Sequence, residues 1–313
     1  MKRIEFPQVG NFMWSKYFNE HLFTIKPKAL IGAEDRVFTI GSCFAEEVRK
    51  ALSNQNVKCL PEFEQVKTDP SRYLIDTLPN RPHMNYYNTY TIHQEFERCA
   101  GLWKQSDEDI WEIQDNWWGQ ETCFQDPYRR SLFGKSKNDL LDAIELSNLT
   151  ITNGFNSATA FFITLGLIEV WRKKDNGRFS CQEPGYERGG GAEQTEFYLS
   201  SFEDNKDNLK AVVDIIRDRK GKNVPIVLTV SPVPLALTWS GKDIYTANTL
   251  SKAVLRAVAG EVSSLYQNVT YFPSYEIVQI LGAGAFQEKD GRHVKPEAVE
   301  IIMQAFLKAH MKQ

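Results

Sequence analysis

The chain has 313 residues, 42% hydrophobic and 25% charged, the balance of a globular protein long enough to bury a sizeable core. Lys and Arg number 37 against 40 Asp and Glu, a net charge of -3, so the basic surplus that binding a phosphate backbone demands is missing and no nucleic-acid partner is expected. The opening "MKRIEFPQVGNFMWSKYF" never reaches the apolar run of a secretory signal, and no window approaches the ~18 apolar residues of a spanning helix; a cytoplasmic protein without membrane insertion is expected.

In chain order, "RVFTIG" (36–41) is the first of four β-branched apolar runs, and it enters the amphipathic "FAEEVRKAL" through Gly41-Ser42-Cys43 with no linker. The stretch from about 62 to 153, rich in aromatics, Pro, Asn and Asp, reads as an insertion or lid-like excursion within a single domain spanning 1–313. The second run is "ATAFFITLG" (158–166). A helix follows at 201–219, with Leu209, Val212, Val213 and Ile216 on one face behind a Ser or Asp cap. The runs "NVPIVLTVSPVP" (223–234) and "NVTYFPSYEIV" (268–278) alternate with helical patterns at 247–266 and 296–310, the latter with Pro296 suited to its first turn. The four runs are continuous rather than alternating, as burial on both faces requires, so they predict a central parallel sheet in a three-layer α/β fold. Ligands of such folds bind beyond the carboxyl ends of the strands.

A serine between strand and helix sets its hydroxyl at that edge, beside the free N–H groups of a helix N-terminus, where a nucleophile would find donors for an oxyanion. Gly41 permits the close backbone approach. The bland reading is that Ser42 merely caps the helix. In "KDGRHVKPEAVEII", Asp290 stands three residues before His293, the spacing at which a carboxylate can hold one ring nitrogen while the other accepts a proton.

"GSCFA" at 41–45 is the signature of the GSCFA family, a branch that resembles SGNH/GDSL hydrolases. "TLGLIEVW" (164–171), "TVSPVPL" (229–235), "SKAVLRAV" (251–258), "YFPSYEIV" (271–278) and the Asp290 to His293 segment are similar to it in the expected order. The resemblance implies a flavodoxin-like, SGNH hydrolase-like sandwich with Ser42 as nucleophile, His293 as base and Asp290 as its orienter, removing or transferring an acyl group. It implies an esterase acting on acyl esters such as O-acetyl groups of a saccharide, with no cofactor. An O-acyltransferase using the same triad, and a non-catalytic saccharide-binding or assembly protein on the same fold, are the alternatives.

Two departures from the hydrolase pattern stand out. Where that pattern has an oxyanion-binding asparagine, alignment on Gly166 places Ile168, which cannot donate; the backbone amides of Ser42 and of the Gly166 region, or Asn88 in "YYNTYTI", are the substitutes expected. The proline expected directly after the histidine comes only after Val294 and Lys295.

Cys43 is a rival nucleophile, since a thiol at a helix N-terminus can be activated, but Phe44, Val48 and Leu52 beside it also allow a buried structural cysteine. Five cysteines with no CxxC pair suggest neither a disulfide framework nor a zinc knuckle. Trp117 and Trp118, beside Asp, Asn and Gln, suit stacking on sugar faces or the filling of a satellite core. Glu169 and Trp171 lie just past a strand end as pocket-lining candidates. "GYERGGGAEQ" (185–194) lacks the Lys-Ser/Thr of a phosphate loop, and His83 and His93 lack an acidic partner at metal spacing, so no metal site is expected. Oligomeric state is not legible in the pattern.

Overall fold

The computed structural model describes residues 25, 28–63, 85–114, 121–185 and 189–312. The first half contains β1 (Arg36–Gly41), α1 (Phe44–Ser53), β2 (Lys58–Leu60), α2 (Thr89–Cys99), β3 (Trp111–Gln114), β4 (Thr122–Gln125), β5 (Phe133–Gly134) and α3 (Lys137–Ser157). The second contains β6 (Ala160–Leu165), β7 (Glu169–Lys173), β8 (Phe179–Ser180), β9 (Thr195–Leu199) and α4 (Phe202–Lys220). It continues with β10 (Ile226–Val230), α5 (Ile244–Leu265), β11 (Val269–Phe272), α6 (Ser274–Leu281) and α7 (Pro296–His310).

Five strands form one sheet in the order β11-β10-β6-β1-β2, every neighbouring pair parallel. Numbered along the chain this is the order 2-1-3-4-5, compatible with a flavodoxin-like fold. The four apolar runs supply β1, β6, β10 and β11. Their side chains alternate between two buried faces. Phe38, Ile40, Phe161 and Leu228 pack beneath α2, α3, α4 and α5, whereas Val37, Phe162, Val227 and Phe272 pack against α1, α6 and α7. That double burial is why the runs are continuous.

The stretch read as an excursion is partly core. Ile92 and Phe96 of α2 and Ile151 and Phe155 of α3 join Phe38 and Phe161 in a cluster of edge-on and tilted rings. Between these helices, β3, β4 and β5 make a small antiparallel sheet, and a second one, in the order β8-β7-β9, leaves the end of β6 almost at once. Among the described residues, no helix is long and apolar enough to cross a membrane.

The order 2-1-3-4-5 creates its crevice between the carboxyl ends of β1 and β6, where the chain leaves in opposite directions. Ser42 follows β1 and Gly166 follows β6 at that point.

Candidate active site

Gly41 makes the corner possible. Its φ is 130°, and a Cβ there would stand 2.1 Å from the Thr164 carbonyl oxygen, so only glycine lets β1 turn so tightly against β6. The helix cap position falls on Cys43, not Ser42; Ser42 Oγ accepts the Phe44 amide at a long 3.4 Å. Ser42 is therefore at most a weak cap. It is buried, and it lines a cleft of about 260 Å³ together with Gly166, Glu169, Lys252, Arg292 and His293.

His293 reaches this cleft from the turn before α7. Asp290 Oδ1 accepts the Arg292 amide at 2.9 Å and the His293 amide at 3.0 Å, while Oδ2 pairs with His293 Nδ1. A carboxylate only accepts, so Nδ1 carries a proton, which in the neutral ring leaves the lone pair on Nε2. The His293 ring and the two amides hold the Asp290 carboxyl well below the usual carboxylate range. The two residues between His293 and the proline have a defined place: Val294 bridges to Phe286, Lys295 N donates to Ala285 O at 2.7 Å, and Pro296 opens α7. Ser42 Oγ and His293 share the cleft without a direct hydrogen bond between them. Such bonds often tighten only around a bound substrate.

The expected backbone oxyanion donors are committed elsewhere, and among the described residues the Asn88 side chain is engaged through its oxygen only. Ser42 N donates to Thr164 O at 3.1 Å; Gly166 N and Leu167 N both donate to Tyr87 O, at 2.9 and 2.8 Å. Asn88 is a helix cap, its Oδ1 accepting the Thr91 amide at 2.9 Å at the start of α2. The cause is the segment Asn85 to Asn88, which crosses the strand ends and also gives its Tyr86 amide to Gly41 O at 2.9 Å. A Cβ at Gly166 would meet Tyr87 O at 2.7 Å, so the strap and that glycine fit each other.

Glu169 lines the cleft but is occupied: its carboxylate accepts the Thr238 hydroxyl and, at 2.8 Å, the Trp239 amide, which pins the segment after β10 over the site. Trp171 also lines the cleft, with Trp239 edge-on at 6.2 Å and 52% exposed at the rim. Trp117 and Trp118, like His83, lie outside the described residues; His93 bonds Asn208 through Nδ1 at 3.0 Å.

Cys43 lines the cleft rather than the helix's inner core face. Burial pushes its thiol up, against the pull of Arg130, Arg292 and Lys252, so it is not an activated thiolate. Lys252 was not anticipated. It is buried on the cleft wall, its ammonium donating to Gly166 O at 2.8 Å, beside Ser251, whose hydroxyl accepts the Ile168 amide at 3.0 Å. Its spacing carried a signal: Lys252, Leu255, Ala259 and Val262 fall on the buried stripe of α5, where a lysine is out of place.

A five-stranded parallel sheet with Ser42 and His293 lining one cleft at its switch point places the protein among mixed α/β proteins with a cleft at the strand ends. The family model of the GSCFA family matches residues 36–306, and the chain belongs to that family. No curated protein matches it.

Proposed function

We propose that this protein is a serine-dependent acyl-transfer enzyme of SGNH type, an esterase removing acyl groups, such as O-acetyl, from a saccharide. The observation that carries the reading is the Asp290–His293 pair, oriented by two backbone amides, with His293 lining the same cleft as Ser42. In the reaction, Ser42 Oγ attacks the ester carbonyl carbon as its proton passes to His293 Nε2; the alcohol leaves with that proton, and water then releases the acid by the reverse sequence. A sugar hydroxyl in place of water would make the same site an O-acyltransferase. The rim aromatics Trp171 and Trp239 suit a sugar face. Five free thiols fit a cytoplasmic setting.

The test is a fluorophosphonate probe with the adduct located by peptide mass spectrometry. The label is expected on Ser42 and absent from Ser42→Ala. An unlabelled protein with no turnover of p-nitrophenyl acetate would point to a saccharide-binding role. Inactivation by iodoacetamide at Cys43, with Ser42→Ala still active, would point to a thiol enzyme.

A further inference from the structure

An acyl transfer from Ser42 needs donors for the carbonyl oxygen as it becomes an oxyanion, and four backbone amides at the strand ends are already spent. Ser42 N serves Thr164 O, Gly166 N and Leu167 N serve Tyr87 O, and Ile168 N serves Ser251 Oγ. Ile168 itself, at the position of the hydrolase asparagine, is 1% exposed and carries no donor. On the same cleft wall stands Lys252, 1% exposed, using one ammonium hydrogen on Gly166 O at 2.8 Å. It makes no ion pair and no hydrogen bond to Ser42 among the described residues.

We propose that Lys252 is a catalytic residue, the charged oxyanion donor that stands in for the missing asparagine. The proposal rests on the acyl-transfer reading of Ser42. When Ser42 Oγ bonds to the carbonyl carbon, the π electron pair moves to the oxygen, the serine proton goes to His293, and Lys252 Nζ donates a hydrogen bond without giving up its proton. The bond to Gly166 O fixes the ammonium in place beforehand, so no reorganisation is needed as charge develops. The direction of the pH dependence separates this role from that of a lysine base, which works only when deprotonated.

The proton on Lys252 is finely balanced. Burial pushes the ammonium down to about 7, with Cys43 opposing and Arg292 assisting. Other charged groups on the cleft are Arg130, whose guanidinium donates to the Tyr87 hydroxyl at 2.7 Å, the tethered Glu169, Glu183, and His293. Losing the proton removes the charge that strengthens this hydrogen bond, so the rate falls as pH rises through the lysine's pKa. A lysine base would give the opposite slope.

The experiment is the pH dependence of kcat/KM for p-nitrophenyl acetate between about pH 5 and 9, for wild type, Lys252→Met and Lys252→Gln. The wild type should show a falling limb near neutrality. Lys252→Met should lose about 10²–10³-fold in kcat and lose that limb. Lys252→Gln keeps a neutral donor for Gly166 O and should sit between the two, also without the limb. A wild type lacking the falling limb overturns the proposal even if neither variant folds. So does a folded Lys252→Met within threefold of wild type, leaving Lys252 as an anchor for Gly166 alone. An inactive wild type that takes no fluorophosphonate removes the acyl-transfer reading, and this one with it; a labelled, active wild type with an unaffected Lys252→Met removes only this one.

Discussion

Asp290–His293 and Glu95–Arg129 are both acid–base pairs, yet they differ in every physical respect. Asp290 and His293 are three residues apart with side chains 30% and 50% exposed, and their geometry comes from one turn of backbone. Glu95 and Arg129 are 34 residues apart and essentially dry, bonded at 2.9 Å, with Arg98 and the Tyr86 hydroxyl completing the shell of Glu95. Tyr86 belongs to the strap that engages Gly41 and Gly166, so the buried cluster holds the strand ends beside the cleft that His293 lines. The first pair should therefore matter to reaction and hardly to folding. The second should matter to folding first.

The largest expected effect tests the exposed side. His293→Ala should lower kcat/KM for p-nitrophenyl acetate by about 10⁴-fold, because it deletes the proton acceptor, while the urea midpoint stays near that of wild type. A fall in midpoint as large as that of a core variant would break the distinction. An active His293→Ala would remove His293 from the triad.

Next comes the buried side. Arg129→Met leaves Glu95 charged and short of a partner in a dry site, at a cost of about 3–5 kcal/mol in unfolding free energy. Arg129 also bonds Asn148 Oδ1 at 2.7 Å, so α3 loses its tie as well. Urea unfolding followed by tryptophan fluorescence measures this. A double change of Glu95→Gln with Arg129→Met should cost less than the two single costs added, since the under-compensated charge is gone. Strict additivity would mean that the two do not act as a unit.

Acid provides a gentler probe of the same cluster. Burial raises the Glu95 pKa, but Arg129, Arg98 and the Tyr86 hydroxyl outweigh it, and the carboxyl is lowered from 4.5 to about 2. A carboxyl with a depressed folded pKa contributes stability that is complete above its unfolded value and is lost as pH falls through the folded value. The urea midpoint should thus decline between about pH 4.5 and 2, and Glu95→Gln should flatten that decline. An unchanged slope in Glu95→Gln would assign the acid sensitivity to other carboxylates.

The same contrast explains what could be read in advance. Ser42, Asp290 and His293 each lie in a short local motif, and β1, β6, β10 and β11 advertise burial on both faces through continuous apolar runs. β2, by contrast, is three residues long and begins with the exposed Lys58, too little pattern to mark a strand. The two antiparallel sheets are built from strands of two to five residues, where alternation has no room to declare itself. The strap's capture of the Gly166 amide depends on residues about 80 positions apart meeting at the strand ends. Glu95 and Arg129 belong to the same class: charged residues are ordinarily placed at the surface, and only the tertiary fold buries these two together. Lys252 stood between the cases, with a legible position on an apolar stripe but no hint of its neighbours.

The smallest expected effect extends the comparison to the rim, where an exposed side chain should again touch binding and not folding. Trp239 is half exposed, edge-on to Trp171, and its backbone is fixed by Glu169 rather than by packing of its own ring. Trp239→Ala should therefore leave the urea midpoint almost unmoved. If the ring stacks on a sugar remote from the ester, it contributes equally to ground and transition states, so its loss appears in KM and not in kcat. An aromatic contact of ~0.5–1.5 kcal/mol corresponds to roughly two- to tenfold in KM for an O-acetylated oligosaccharide. The KM ratio of that substrate to p-nitrophenyl acetate should rise by this factor, because the aryl ester carries no sugar to stack on the ring. Equal changes for both substrates would mean that Trp239 shapes the cleft itself. A lowered kcat with KM unchanged would place the ring against the reacting group, and the tether through Glu169 would then belong to the chemistry as well as to the rim.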